Sequence, residues 1–195
     1  MAVAVVVLGT PGVGKSELAH GLGRQLGLDV IDLSRLVKKK RLYKRFDKRT
    51  QSYEVDERRV RDHLRTRIGK QGAVIATHSI GRSIPLGMVR LAIVLRLDPV
   101  KLYRRLRARR WTRQKAWENV ESELIDVCLE EAVRLLGRAR VVEIDTTSLT
   151  PSKVLLRALD AVNVKRKQFR SQVDWLSVYD PLDLEKKLRW KNSTS

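Results

Sequence analysis

A glycine-rich loop near the amino terminus constrains this chain more than any other feature. Residues 9–16 read Gly-Thr-Pro-Gly-Val-Gly-Lys-Ser and fit the pattern G-x-x-x-x-G-K-[ST]. An apolar, β-branched run (residues 2–8) precedes the loop, and residues 16–26 show the apolar spacing of a helix. A buried strand, a glycine loop and a helix in this order form a phosphate-binding unit. The sequence therefore predicts that a nucleoside triphosphate binds at this phosphate loop (residues 9–16).

Each residue type in the phosphate loop has a chemical reason. Gly12 and Gly14 let backbone N–H groups approach a phosphate, and glycine adopts positive φ without steric cost. Lys15 is placed to reach the β- and γ-phosphates, and Ser16 offers its hydroxyl to Mg²⁺. The motif thus predicts a triphosphate bound together with Mg²⁺.

Runs typical of buried strands alternate with helical patterns along the rest of the chain. The strand-like runs are residues 2–8, 28–33, 73–77, 91–97 and 141–144. The helical patterns are residues 16–26, 36–68 with a break around 43–53, 99–108, a long helix that follows residue 115 and ends near 137, and 151–162. This alternation predicts an α/β fold of three layers, with a five-stranded parallel sheet between helices. In such folds, ligands bind at the carboxyl ends of the strands.

Positive charge is concentrated in two parts of the sequence. The 195-residue chain has 41 Lys or Arg and 22 Asp or Glu, a formal net charge of +19. Residues 34–70 carry a net +10, and residues 101–115 carry +8. Such clusters occur as solvated helix faces, but beside a phosphate loop they favour contact with polyphosphate or nucleic acid.

Composition excludes several classes of protein. No apolar run approaches the roughly 20 residues that a membrane-spanning helix needs, so no membrane association is expected. The single cysteine, Cys128, excludes an internal disulfide and suits a reducing cytoplasm. No set of Cys and His residues resembles a zinc site.

Beyond the phosphate loop, several segments resemble the adenylate kinase isoenzyme 6 family. Residues 32–38 read Asp-Leu-Ser-Arg-Leu-Val-Lys, and residues 118–124 read Glu-Asn-Val-Glu-Ser-Glu-Leu. Further matching segments are Leu42-Tyr43, 53–57, 73–78, 94–98 and 130–132. The resemblance covers about residues 2–162, in order. This family includes archaeal adenylate kinases and eukaryotic nuclear ATPases of small-subunit ribosome assembly.

The resemblance implies a P-loop NTPase fold of the adenylate kinase type. A kinase domain would span residues 1–163, with a monophosphate-binding insertion at about 32–57 and a short lid at about 108–118. The implied activity is nucleoside monophosphate kinase, ATP + AMP = 2 ADP, with accompanying ATPase activity. The implied partners are AMP or another nucleoside monophosphate, a platform protein of the small ribosomal subunit, and small-subunit rRNA. Residues 164–195 form a basic appendage, either partly disordered or packed on the domain as a terminal helix.

The resemblance also assigns roles to individual residues. Catalytic roles fall on Lys15, His78 and Arg109. Contacts to ATP are implied for Gly12, Gly14, Lys15, Ser16, Glu17 and Arg109. Contacts to the monophosphate are implied for Asp32, Ser34, Leu36, Val37, Tyr43 and Asp56. Glu17 stands where relatives usually have Thr, and Arg109-Arg110-Trp111 stands where they have Arg-Gly-Tyr.

The sequence departs from the family at residue 76. Relatives have Asp-x-His at the end of the third strand, and their Asp holds Mg²⁺, whereas this chain has Ala76-Thr77-His78. One hypothesis is that Asp32, Glu17 or Asp98 replaces the missing carboxylate. A second is that catalysis is weak and the protein is chiefly a nucleotide-gated, RNA-binding assembly factor. A third is another small-molecule kinase with a phosphate loop, such as a shikimate or coenzyme-precursor kinase.

Overall fold

A five-stranded parallel sheet forms the centre of the computed structural model, which describes residues 3–47, 52–163 and 173–190. Its strands are β1 Ala4–Leu8, β2 Asp29–Asp32, β5 Ala73–Ala76, β6 Val89–Arg96 and β7 Val141–Asp145. Their order in the sheet is β2-β5-β1-β6-β7. A separate antiparallel hairpin pairs β3 (Tyr43–Asp47) with β4 (Ser52–Val55).

Helices cover both faces of the sheet. They are α1 Lys15–Leu26, α2 Leu33–Lys39, α3 Glu57–Gln71, α4 Pro99–Ala108, α5 Arg113–Leu124, α6 Val127–Leu136, α7 Pro151–Asn163 and α8 Pro181–Glu185. A π-helical turn, Lys186–Trp190, follows α8. Within the described residues no helix is both long enough and apolar enough to cross a membrane.

The alternation of side chains along β1 divides the core into two apolar clusters. Val5 and Val7 belong to the cluster under α1, α4, α5 and α7, whereas Ala4, Val6 and Leu8 belong to the cluster under α3 and α6. All five residues of β1 are buried, as expected for a central parallel strand with both faces covered. The predicted three-layer α/β fold with a five-stranded parallel sheet is confirmed.

The predicted long helix before residue 137 is wrong. The chain instead forms α5 and α6, separated by Asp126, whose φ is +57°. The carboxylate of Asp126 pairs with the guanidinium of Arg96, which is only 2% exposed. A contact between distant parts of the chain therefore stabilises the interruption, and the apolar spacing did not indicate it.

The predicted break around residues 43–53 contains the β3–β4 hairpin. Aromatic side chains pack across it: the ring centroids of Phe46 and Tyr53 are 5.0 Å apart, and those of Tyr43 and Tyr53 are 4.4 Å apart. Cross-strand aromatic pairs stabilise a hairpin. The sequence indicated the end of the helix but not the two strands, and residues 48–51 lie outside the described residues.

Residues 173–190 pack against the domain. Val173, Trp175, Leu184 and Leu188 are buried in the cluster that also contains α5 and α7. The Tyr179 hydroxyl donates a hydrogen bond to the Asp98 carboxylate, which fixes this segment beside the start of α4. The basic run at residues 165–167 lies outside the described residues.

Candidate active site

The phosphate loop connects β1 to α1 with three glycines at positive φ. Gly9 has φ 140°, Gly12 has φ 102° and Gly14 has φ 114°. A Cβ atom on Gly9 would lie 2.6 Å from the Leu95 carbonyl oxygen, and one on Gly12 would lie 3.0 Å from a Leu102 methyl carbon. Glycine is therefore required at both positions by close packing as well as by φ. Gly14 precedes the first turn of α1 and leaves its amino end open to an anion.

Lys15 lies half-buried at the start of α1, and its Nζ donates a hydrogen bond to the Thr10 carbonyl oxygen at 3.0 Å. The pKa of Lys15 is lowered to about 8, mainly by burial and to a lesser extent by the positive charge of Arg109. Asp32 and Glu123 are among the groups that oppose this shift of the pKa. The ammonium thus lies in a site where the negative charge of an incoming phosphate would raise the pKa of Lys15 toward its ordinary value.

Asp32 is the carboxylate that the fold brings to Ser16. The Ser16 hydroxyl donates to Asp32 Oδ2 at 3.5 Å, while Asp32 Oδ1 accepts the backbone N–H of Arg35 at 3.0 Å and caps α2. In the sheet, Asp32 is the register partner of Ala76 on the adjacent parallel strand. Register partners project their side chains to the same face, so the carboxylate lies one strand away from the position where it is missing.

The other two carboxylates considered for Mg²⁺ are placed differently. Asp98 caps α4, accepting the backbone N–H of Lys101 at 2.9 Å, and its second oxygen accepts the Tyr179 hydroxyl. Glu17 is exposed on the first turn of α1 and lines a cavity that also includes Leu149 and Leu155 near α7.

The donors near Ser16 suit Mg²⁺ rather than a metal enclosed by protein. Within the described residues no cluster of three or more His, Cys, Asp or Glu is able to hold a metal ion. One hydroxyl and one carboxylate are enough for Mg²⁺, which usually keeps several waters and binds substrate phosphates. The Ser16–Asp32 pair therefore fits that ion.

A cavity of about 590 Å³ lies between the phosphate loop, the insertion and the lid. It brings together Pro11 of the phosphate loop, Ser34 and Val37 of α2, His78 after β5, and Trp111 of the lid. Tyr53 of β4 and Lys38 complete the side near the hairpin, with the Lys38 ammonium 5.4 Å from the Tyr53 ring centroid. An aromatic and apolar lining with a few polar groups suits a nucleoside.

Four residues with an implied role in monophosphate binding lie outside this cavity lining: Asp32, which lies beside Ser16, and three others. Leu36 is buried in the core beneath α2. Tyr43 packs on Tyr53, and Asp56 caps α3 by accepting the backbone N–H of Arg59 at 3.1 Å. These side chains support the wall of the cavity through packing and capping.

His78 borders the cavity directly after β5. Loss of hydration lowers the pKa of His78, and the nearby charge of Lys15 lowers it further. The following loop is held by Glu131, whose carboxylate accepts the backbone N–H groups of Ile80 and Gly81 at 2.8 and 3.2 Å. A neutral imidazole is therefore held at the mouth of the cavity at neutral pH.

The segment predicted to form a lid begins where α4 ends. Arg109 is exposed at this end, and its charge acts on Lys15. Arg110 has φ +62°, which turns the chain so that Trp111 lines the cavity. Arg105, one turn earlier, donates to the Gly12 carbonyl oxygen at 3.4 Å and is a site residue that the sequence did not single out.

Glu123 is a second residue that the sequence did not single out. Its buried carboxylate accepts the Thr10 hydroxyl of the phosphate loop, Arg96 Nε at 2.8 Å and Trp175 Nε1 at 3.4 Å. The sequence could not indicate these contacts, because the partners of Glu123 are far apart in the chain. The only sequence signal for Glu123 was its place in the Glu-Asn-Val-Glu-Ser-Glu segment.

A second cavity, of about 300 Å³, also adjoins the phosphate loop. Its walls include Val13 of the loop, Arg105 of α4, and Leu149 and Leu155 near α7. The two cavities share no lining residue: this one touches the loop at Val13 and Gly14, and the first touches it at Pro11.

Comparison with known proteins agrees with this arrangement. Residues 5–126 match the AAA_18 family, described as an AAA domain. An "Adenylate kinase isoenzyme 6 homolog" from Schizosaccharomyces pombe is 35% identical, over 74% of this chain and 82% of that protein. A "Putative adenylate kinase" from Saccharolobus solfataricus is 36% identical over 88% of this chain and 87% of its own length. One of the same name from Methanocaldococcus jannaschii is 32% identical over 93% of this chain and 98% of its own length.

Solved structures share the fold at lower identity. Shikimate kinase from Bacteroides thetaiotaomicron superposes with a TM-score of 0.55 at 16% identity, covering 83% of this chain and 99% of that one. A gluconokinase from Sinorhizobium meliloti gives a TM-score of 0.53 at 17% identity, covering 83% and 91%. At these identities the likeness shows the fold alone.

Proposed function

The chain belongs to the adenylate kinase isoenzyme 6 family, and from this we propose that it is a nucleoside monophosphate kinase that catalyses ATP + AMP = 2 ADP. The observation that carries the proposal is the pair of separate cavities that adjoin the phosphate loop, one at Val13 and Gly14 and the other at Pro11. One cavity suits the base of ATP, and the other suits the nucleoside of the acceptor.

In this proposal the protein contributes positioning and charge, which are the main contributions in phosphoryl transfer. The loop N–H groups and Lys15 hold the β- and γ-phosphates. Arg109 approaches from the lid and stabilises the charge that develops on the equatorial oxygens of the transferred group. Closure of Trp111 over the cavity excludes water, and an open lid accounts for the accompanying ATPase activity, with His78 orienting the attacking water.

We further propose that Ser16 and Asp32 together hold the Mg²⁺ that neutralises the phosphates. Their 3.5 Å separation and the register of Asp32 with Ala76 support this assignment over Glu17 and Asp98. In this arrangement, Ala76 does not leave the metal without a carboxylate, and the site remains competent for catalysis.

The kinase proposal is tested by measuring ADP formed from ATP with and without AMP. We expect turnover that depends on AMP, with two ADP per ATP consumed, and its loss in Lys15→Ala. Tight ATP binding without turnover stimulated by AMP would instead favour the alternative of a nucleotide-gated assembly factor. Turnover with shikimate or a coenzyme precursor in place of AMP would favour the small-molecule kinase.

The Asp32 assignment is tested with Asp32→Asn, which retains an acceptor for the cap of α2. We expect about 10–100-fold weaker binding of Mn²⁺ in the presence of ADP, read by electron paramagnetic resonance, and a parallel loss of turnover. Asp29→Asn, at the other end of β2, is the matched control. Unchanged Mn²⁺ binding in Asp32→Asn would overturn the assignment, whereas recovery in the double variant with Ala76→Asp would support it.

We also propose that the protein acts in maturation of the small ribosomal subunit, in contact with rRNA and a platform ribosomal protein. Beyond the family resemblance, the support is charge: a nucleotide pair needs only a few cations, and residues 34–70 and 101–115 together carry +18. The single, buried free thiol of Cys128 suits a reducing cytoplasm. Binding to rRNA fragments that weakens steeply with salt is the expected result.

A further inference from the structure

Much of the positive charge lies outside the two nucleotide cavities. A cavity of about 590 Å³ between α3, the loop after β5 and α6 adjoins one of about 600 Å³ beside the β3–β4 hairpin, and both are lined by Glu57, Arg61 and Arg82. We call this surface the arginine groove. Its basic side chains are Lys44, Arg58, Arg61, Arg65, Arg82 and Arg134.

Three of these side chains form a row along α3. Arg58, Arg61 and Arg65 are spaced by three and four residues, so they share one face of the helix. At 1.5 Å per residue the row extends over about 10 Å. Arg61 also donates to the Arg82 carbonyl oxygen at 2.8 Å, which joins the row to the loop after β5.

Three of the four carboxylates that line the groove have hydrogen-bond or ion-pair partners. Glu131 accepts Ser79 and the backbone of the following loop, and Asp56 caps α3. Glu54 pairs with Arg45 at 2.6 Å and with Lys44 at 3.7 Å. Within the described residues, by contrast, no hydrogen bond or ion pair engages the guanidinium of Arg82 or of Arg134. Among the groove cations, Lys44 lies 3.7 Å from Glu54 and Arg65 lies 3.7 Å from Asp62, both as exposed ion pairs. In the part of the chain that the structure describes, the positive charge without a carboxylate partner therefore rests mainly on Arg58, Arg61, Arg82 and Arg134.

The arginine groove is separate from the site that holds nucleotide phosphates. Among the described residues that line it, none belongs to the phosphate loop or the lid. Glu57 and Gly81 form part of the wall between the groove and the monophosphate cavity. The groove therefore offers a second set of cations that phosphoryl transfer does not use.

We propose that the arginine groove binds the phosphate backbone of RNA. This inference rests on the proposed ribosomal function and assigns the surface that contacts the rRNA. A single small anion would engage only one or two of the six cations, whereas a polynucleotide places a series of phosphates along the row on α3. Guanidinium groups are suited to this contact because their planar fork pairs with two phosphate oxygens. Such a contact depends on the charge of the RNA backbone and does not distinguish one base sequence from another.

The test compares two variants that each remove three positive charges. The groove variant is Arg65→Ala, Arg82→Ala, Arg134→Ala, and the control is Lys70→Ala, Lys153→Ala, Arg157→Ala; all six side chains are exposed. The full-length proteins are titrated with a fluorescent 20-nucleotide single-stranded RNA at several salt concentrations. Each lost phosphate contact lowers the log–log salt slope by about 0.7, so we expect a loss of roughly 2 in slope and on the order of 100-fold in affinity at 0.1 M salt for the groove variant.

Several outcomes separate this inference from the functions on which it rests. If the groove variant and the control bind RNA equally, the arginine groove is not the site, although the RNA-binding function stands. If the wild type does not bind RNA, both proposals fail. If a polyglutamate peptide of equal charge competes as well as unlabelled RNA, the groove selects acidic protein segments and the RNA assignment is overturned. Kinase turnover of both variants should equal that of the wild type, which also reports on their folding.

Discussion

The ammonium of Lys15 is destabilised in the free protein and is stabilised when a triphosphate binds. This half-buried ammonium loses hydration and lies near Arg109, and the pKa of Lys15 falls from 10.5 to about 8. A bound triphosphate brings negative charge next to the ammonium and raises this pKa again. Binding and protonation of Lys15 are therefore linked, and both depend on pH.

We predict that ATP affinity is constant below about pH 7.5 and falls as the pH rises above 8. Below the pKa of about 8 the free protein already holds the proton, whereas above it the proton must be taken up on binding. The expected decrease approaches tenfold per pH unit until the pKa of the complex is reached. Calorimetric titration at pH 9 in two buffers of different ionisation enthalpy should show uptake of close to one proton. A constant affinity between pH 7 and 9.5 would contradict the lowered pKa.

Residues whose role is local were predictable from the sequence, and residues whose role depends on distant contacts were not. Gly12 and Gly14 follow from the loop pattern, because their positive φ is a property of the loop itself. The sequence left Asp32, Glu17 and Asp98 as alternatives, because only the register of β2 beside β5 places Asp32 next to Ala76. The contact between Glu123 and Thr10 spans 113 residues and required the fold.

At the scale of elements, apolar periodicity located the five strands of the sheet but not the interruptions caused by tertiary contacts. The stripe from α5 to α6 reads as one helix because both helices bury their apolar faces against the domain. Asp126 takes positive φ between them while pairing with Arg96, a residue of β6. In the hairpin, β3 reads Tyr-Lys-Arg-Phe-Asp and β4 reads Ser-Tyr-Glu-Val, and both strands are too short to show a clear period.

Two helical glycines give opposite predictions for substitution by alanine. Gly69→Ala in α3 should raise the free energy of unfolding by about 0.5–1 kcal/mol, since a Cβ atom there meets nothing within 4 Å. Gly23→Ala in α1 should lower it, because a Cβ atom would lie 2.3 Å from a Val30 methyl carbon and 3.0 Å from the Leu28 carbonyl oxygen. Urea unfolding of both variants measures the two changes. A stabilising Gly23→Ala would show that α1 does not pack this closely on β2.

At the scale of the whole molecule, the carboxy-terminal segment is joined to the phosphate loop through Glu123. Trp175 Nε1 and the Thr10 hydroxyl donate to the same buried carboxylate, which also pairs with Arg96. Arg96 also faces Glu143, at 2.7 Å, and pairs with Asp126, so removing Arg96 would leave the buried carboxylates of Glu123 and Glu143 without this counter-charge. The sequence predicted a basic appendage here, either partly disordered or packed on the domain. It did not decide between the two, because four apolar residues scattered among polar ones show no helical or strand period.

Trp175→Ala therefore tests whether residues 173–190 are part of the folded domain. Trp175 is 8% exposed, whereas its neighbour Leu176 is 50% exposed and serves as the matched control. We expect Trp175→Ala to reduce the free energy of unfolding by about 3–5 kcal/mol in chemical denaturation, and Leu176→Ala to change it by less than about 0.5 kcal/mol. Equal, small effects would mean that this segment is dispensable for the core.

Trp175→Phe tests a different point, because it retains most of the packing but removes the hydrogen-bond donor to Glu123. Weaker ATP binding in a stable Trp175→Phe variant would show that the segment acts on the phosphate loop through that hydrogen bond.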